Sequence, residues 1–147
     1  MGQGGKTSAA YKQIYPVASK QLEAKKYPQA AKNFLELLEL NPKNHNVNYK
    51  VGLCYLDMNG DKPKAVPYLE AAASNVSSKY KDNYKETSAP EDALLQLARA
   101  YHLASQYNNA IATYKRYKTK VSKADKGQHA ILDRQIEMCK NGSSISQ

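Results

Sequence analysis

Two stretches of this chain, Lys26–Phe34 and Gln106–Tyr114, follow one pattern. Each places a tyrosine (Tyr27, Tyr107), an alanine three positions later (Ala30, Ala110) and an aromatic ring four beyond that (Phe34, Tyr114). Spacings of three and four bring side chains to one face of a helix. There a small alanine lets a second helix approach and the ring fills the space beside it. A complementary pattern occurs at Val51-Gly52 and Leu97-Ala98, an apolar residue and then a small one, followed three residues on by Tyr55 and Tyr101. Val17-Ala18 opens a weaker copy, with Gln21 where the tyrosine would stand. A chain that repeats itself in this way is constrained to stack similar helical hairpins, because no single hairpin buries its own apolar face.

Set in register, the patterns give three units of about 34 residues, the length and signature of the tetratricopeptide repeat. The first runs from Tyr11 to Asn44, with Ala18, Ala30, Phe34 and Leu37 at packing positions and Pro42 closing the unit. The second, 45–78, begins at His45 with Gly52 and Tyr55. It needs an extra residue in the turn Asn59-Gly60-Asp61 before Ala65, Leu69 and Ala72 resume the pattern. The third, 91–124, carries Leu94, Leu97, Ala98 and Tyr101, then Ala110, Tyr114 and Tyr117. The predicted fold is therefore all-α: a superhelix of three hairpins, with the repeat domain spanning 9–140.

A repeat array leaves an apolar face open at its end. Residues 126–140 place Ile131, Leu132, Ile136 and Cys139 on one face, so a seventh, capping helix is expected there. Residues 1–8 read as a flexible leader or an expression scar, and 141–147 as a disordered tail. Ser78–Thr87 is a polar insertion between the second and third units, an ordered loop or a helix extension. Ser88-Ala89-Pro90-Glu91 reads as a capping box that starts the third unit. Pro16 and Pro67 sit less comfortably, and each predicts a kink or a late helix start.

The stretch from Tyr84 to Gly142 resembles a narrower group. Lys85-Glu86-Thr87-Ser88-Ala89-Pro90-Glu91-Asp92-Ala93-Leu94, Ala98-Arg99-Ala100-Tyr101-His102-Leu103 and Ile131-Leu132-Asp133-Arg134-Gln135-Ile136-Glu137-Met138-Cys139 carry the likeness. They are similar to the N-terminal repeat domain of multidomain outer-membrane lipoproteins of Bacteroidetes. In that group the domain precedes a β-propeller and a peptidoglycan-binding domain like that of outer-membrane protein A, and some members serve type IX secretion and gliding. The resemblance implies a periplasmic, outer-membrane-associated scaffold. It does not carry over cell-wall binding, which belongs to the other domains.

Stacked hairpins curve so that the first helix of each lines a concave groove. In this register the groove shows Tyr15, Ser19 and Leu22, then Tyr49, Leu53 and Leu56, then Leu95, Arg99 and His102. Rigid rings mixed with a few polar groups suit a protein or peptide ligand. Some tetratricopeptide domains clamp a terminal carboxylate with Lys and Asn. The matching positions here are Tyr15, Ser19, Lys50, Asp92 and Gln96, so only a lysine survives.

Other chemistries find little support. The net charge of +9 and the run Tyr114-Lys115-Arg116-Tyr117-Lys118 would suit RNA, but the two rings fall at packing positions and leave the lysines as a solvated face. Nucleic-acid binding is therefore not expected. Gly4-Gly5-Lys6-Thr7 lacks the upstream glycine and strand of a phosphate-binding loop. His45, His102 and His129 show no metal-ligand spacing, and no catalytic constellation is visible. No cofactor, metal or enzymatic activity is expected. No apolar run reaches the roughly 18 residues needed to cross a bilayer, and the N-terminus lacks the apolar core of a secretory signal. Cys54 and Cys139 both fall on apolar helix faces and read as buried free thiols. A cytoplasmic repeat adaptor is the alternative to the periplasmic reading, and an RNA-binding repeat follows it.

Overall fold

A computed structural model describes the backbone of residues 2–146 and the side chains of residues 8–143. Among these residues the chain forms seven α-helices: α1 (Gly2–Glu23), α2 (Tyr27–Leu40), α3 (His45–Asp57), α4 (Ala65–Ala73), α5 (Asp92–Leu103), α6 (Tyr107–Lys118) and α7 (Lys126–Ser146). A 3-10 turn, Lys62–Lys64, leads into α4. Successive helices pack as antiparallel neighbours, so the molecule is an all-α array of three hairpins closed by α7.

The turns show why the hairpins repeat. Lys25 (φ +62°) and Ser105 (φ +60°) are both left-handed. Beyond them Lys26 N–H donates to the Gln21 carbonyl and Gln106 N–H to the Tyr101 carbonyl, each at 2.8 Å. The same helix-ending closure thus turns the first and third hairpins, and in neither is the left-handed residue a glycine. The longer second turn uses Gly60 (φ +85°) instead. Pro28 lies in the first turn of α2, where its missing N–H costs nothing. Asn44 caps α3 by accepting from the Val47 amide at 3.0 Å.

Within each hairpin the small residues mark closest approach. Ala18, Ala30, Ala65, Ala98 and Ala110 are fully buried, beside buried Phe34, Tyr101 and Tyr114. A methyl group added to Gly52 would lie 2.5 Å from two carbons of Leu69, so α3 and α4 touch there only because glycine has no Cβ. Tyr55 is half-buried and stacks on Tyr68, with their centroids 5.6 Å apart. The apolar core forms two clusters that meet at α3. Val47, Val51 and Cys54 face the first, while Tyr49 and Leu56 face the second. A helix with two buried sides loses the one-sided pattern of a surface helix.

Several expectations need correction. The stretch read as a leader is helical from Gly2, and α7 continues through Ser146 where a tail was expected from Asn141. Met1 and Gln147 lie outside the described residues. A nucleated helix adds one hydrogen bond per residue at little cost. At the other end, the backbone of Gly142 lies close enough to Tyr107 that a Cβ would come within 2.7 Å of its ring. Helix α1 runs through Pro16, which is exposed, with no late start. Pro67, by contrast, has the late helix start expected of it: α4 begins only at Ala65, after the 3-10 turn, which leaves Pro67 in the first turn. The capping box does not form. Ser88 Oγ donates to Glu86 rather than pairing with Glu91, and α5 begins only at Asp92.

Ala89–Pro90 pairs instead, in parallel, with Val76–Ser77. This two-residue ladder draws together the ends of the polar insertion. The segment between them, 78–88, is a loop held largely by its own hydrogen bonds. Glu86 Oε1 accepts from the Lys81 amide at 2.9 Å, and Glu86 Oε2 accepts from the Thr87 and Ser88 amides. Asn83 Oδ1 accepts from the Lys85 amide at 2.9 Å. We call this loop the strap.

Candidate functional site

In stacked hairpins the first helix of each lines the concave side, here α1, α3 and α5 with α7 following, and the strap lies over α1 and α3. Over α1 and α3 the strap lowers Tyr80, Asp82 and Tyr84 onto the helices. Lys50 Nζ donates to Asp82 Oδ2 at 2.8 Å, and the Tyr15 hydroxyl donates to Asp82 Oδ1. Asn46 links the remaining groups. Its amide donates to the Tyr15 oxygen at 2.8 Å, and its carbonyl accepts from the Tyr80 hydroxyl at 2.6 Å. Tyr84 packs against the first core cluster.

Burial acts to raise the Asp82 carboxyl, but the hydrogen bonds from Lys50 and Tyr15 outweigh it and hold the group below the usual carboxylate range. Burial, and then the carboxylate partner, push the Tyr15 hydroxyl upward, so it stays a donor. Tyr49 behaves alike: burial and the charge of Asp92 raise it, and it donates to Asp92 Oδ2 at 2.6 Å. Gln96 also donates to Asp92, at 3.1 Å, and accepts from Arg99 at 2.5 Å.

The nine residues read as groove-lining therefore separate. Tyr15 and Tyr49 are buried, their rings covered and their hydroxyls spoken for. Leu56 lies in the second core cluster, and Leu22 and Leu53 pack at the edges of the two clusters. These corrections have two causes, the strap over Tyr15 and the tight stacking of α3 against its neighbours, neither of which hairpin geometry alone reveals. Ser19 lines a cavity of about 270 Å³ beneath the strap, shared with Tyr15, Glu23, Asp82 and Tyr84. Among the described residues its buried Oγ has no hydrogen-bond partner.

Arg99 is exposed, while Leu95 and His102 are half-buried, Leu95 against the second core cluster and His102 edge-on to Tyr107 and Tyr114. With α7 they form two adjoining cavities, of about 210 Å³ and 230 Å³, that share Arg99, Tyr114 and Gln135. Leu95, Ile131 and Leu132 line the first, while His102 and Leu103 line the second. Leu103 and Ile131 are 50% and 46% exposed, large apolar groups left beside two cationic or titratable ones. A larger hollow of about 400 Å³ sits at the first end of the array, between Tyr11, Leu40, Asn44 and the strap residues Tyr84 and Lys85.

Sequence reasoning missed Asp82 as the partner of Lys50, and Asn46 and Tyr80 as the groups that complete the network through Tyr15. The available signal was a lysine among Val47, Tyr49 and Val51, on a helix with no solvated face, followed by a polar insertion rich in tyrosine. The positions that a terminal-carboxylate clamp would use are consumed within the chain, Lys50 by Asp82 and Asp92 by Tyr49 and Gln96. In the basic run, Tyr114 is 1% exposed and Tyr117 packs against the second cluster, so neither ring is displayed for stacking on a base. Among the described residues no three His, Cys, Asp or Glu groups gather at metal-binding distance, and no helix is long and apolar enough to cross a membrane.

The tetratricopeptide repeat matches residues 18–80 and again residues 92–124. The chain belongs to the tetratricopeptide-repeat family, whose arrays serve as protein–protein interaction scaffolds. Among solved structures it is similar to the type III secretion chaperone SycD of Yersinia enterocolitica, in complex with a peptide of the translocator YopD. That match has a TM-score of 0.66, covers 89% of this chain and 92% of SycD, and carries 18% sequence identity, a likeness of fold. None of the curated proteins compared with the chain matches it.

Proposed function

We propose that this chain is a non-catalytic scaffold that holds a peptide or helix of a partner protein in the groove between α5 and α7. The observation that carries this reading is the division of the concave side. The strap covers α1 and α3, while Leu103 and Ile131 stay exposed beside half-buried Leu95 and His102 and exposed Arg99. Apolar anchors with a cationic neighbour suit an amphipathic segment bearing a carboxylate. The solved complex of SycD with a YopD peptide supports the reading, since a chain of this fold there accompanies a peptide.

The assembly it serves is one at a bacterial outer membrane, on the periplasmic side, such as type IX secretion. The support for this is the likeness of residues 84–142 to the repeat domain of Bacteroidetes lipoproteins.

The test is a crosslinking pull-down from an envelope extract, comparing wild type with an Arg99→Ala/Ile131→Ser variant. Both positions are exposed, so the fold should survive. A discrete partner captured by wild type and lost in the variant supports the groove. A partner held equally by both overturns it. Cell fractionation of the native protein decides the location, and recovery in the cytoplasm would replace the periplasmic reading with that of a cytoplasmic adaptor.

A further inference from the structure

Lys50 is an unusual residue for the middle of a buried helix. Its side chain is 8% exposed, and its ion-pair partner, Asp82, comes from the strap with a side chain 51% exposed. An ammonium group left in such a place without a counter-charge is strongly unfavourable. Whatever covers α1 and α3 must therefore bring a carboxylate to this point.

The strap meets that demand as a ligand would. Its internal hydrogen bonds are local, running among Ser77, Lys81, Asn83, Glu86 and Ser88. Its hold on the helices is made of a few discrete contacts: the carboxylate of Asp82 on Lys50 and Tyr15, the hydroxyl of Tyr80 on Asn46, the ring of Tyr84 on the first cluster, and the Thr87 carbonyl accepting from His45. The neck is tied independently by the Val76–Ala89 pairing and by the Ala89 amide donating to Asn75. None of the contacts between strap and helices is shared with the neck pairing or with a helix's internal hydrogen bonds.

We propose that α1 and α3 form a second recognition site, specific for a peptide segment that presents an aspartate or glutamate between aromatic residues, and that residues 78–88 occupy it in cis as a competitor. The receptor is Lys50, Tyr15 and Asn46. A partner segment enters by exchanging its own carboxylate for that of Asp82, which leaves Lys50 paired throughout. This site is separate from the α5–α7 groove, so the two stand or fall independently.

The probe is a synthetic peptide copying residues 78–88, and a second peptide with asparagine in place of its aspartate. The receptor is the full chain with residues 79–87 replaced by a short glycine–serine linker, its fold checked by circular dichroism. Fluorescence anisotropy should show the aspartate peptide binding the linker variant. The asparagine peptide should bind about tenfold or more weakly, the change that a hydrogen bond to a charged group carries. Lys50→Met in the same background should abolish that preference.

Wild type should bind the aspartate peptide at least about tenfold more weakly than the linker variant, because a tethered competitor acts at roughly millimolar effective concentration. The intact chain carrying Asp82→Ala should bind more tightly than wild type, which tests the site without deleting the strap. Equal binding of both peptides, no binding by a folded linker variant, or no gain on Asp82→Ala would overturn the proposal. An unfolded linker variant would overturn it as well, because the strap would then be part of the fold rather than a removable occupant.

Discussion

Replacing Gly52 with alanine tests the closest contact in the stack. The added Cβ would sit 2.5 Å from both Cγ and Cδ2 of Leu69. Leu69 is fully buried in the second core cluster, so it cannot swing into solvent, and either α3 or α4 must move. Overpacking of this kind costs about 1–3 kcal/mol. Against it, alanine is favoured over glycine within a helix by about 1 kcal/mol. The difference is a net destabilisation near 1 kcal/mol, a fall in Tm of about 2–4 °C for a chain of this size. Thermal unfolding followed by circular dichroism reads it directly. Leu69→Ala should relieve the contact, so the pair should show a coupling energy of about 0.5 kcal/mol or more. A Tm raised by Gly52→Ala would refute the reasoning, as would strict additivity of the two substitutions.

Ala110, fully buried between α5 and α6, gives a parallel test. Ala110→Leu should lower Tm by several degrees through about 1–3 kcal/mol of overpacking, and an unchanged melting curve would refute the repeat register. Ser105→Gly should raise Tm slightly, because the left-handed conformation costs a non-glycine residue about 1 kcal/mol, part of it offset by the freer unfolded glycine chain. A fall in Tm would count against that turn geometry. Burial pushes the Cys54 thiol up to about 12 and the Cys139 thiol upward, so a thiol reagent near neutral pH should modify both only as fast as the protein opens. Rapid labelling of either thiol in the folded protein would contradict this. Asp82 has a lowered pKa in the folded state, so the stability it adds is present above the ordinary carboxylate value near pH 4 and is lost as pH falls through the lower folded value. The Tm gap between wild type and Asp82→Asn should therefore close on acidification, and a gap that stays constant would exclude an ionised Asp82 as the anchor.

The repeat array is legible along the chain. Each hairpin touches mainly its neighbours, so its contacts are local and the pattern that specifies them is written locally as well. The buried small residues Ala18, Ala30, Gly52, Ala65, Ala98 and Ala110 are legible because a helix repeats its faces every three to four residues. The cap helix, with Leu132, Ile136 and Cys139 buried, is legible for the same reason.

Helix ends were less so. The Ser88–Glu91 signal of a helix start lost to a competing arrangement in which Ala89–Pro90 joins Val76–Ser77 and Ser88 turns to Glu86. A local motif cannot reveal a pairing partner that lies beyond it.

Which part of the concave side is open depends instead on long-range contacts. The strap has no periodicity, and its placement rests on contacts that span 32 residues from Lys50 to Asp82 and 67 from Tyr15 to Asp82. Hydrogen bonds and ion pairs of this kind depend on distance and direction in space, and residue spacing along the chain carries neither. Tyr15 and Tyr49 are thus legible as concave residues, yet whether they meet a partner, the protein's own loop or its next helix is a matter of where Asp82 and Asp92 come to rest.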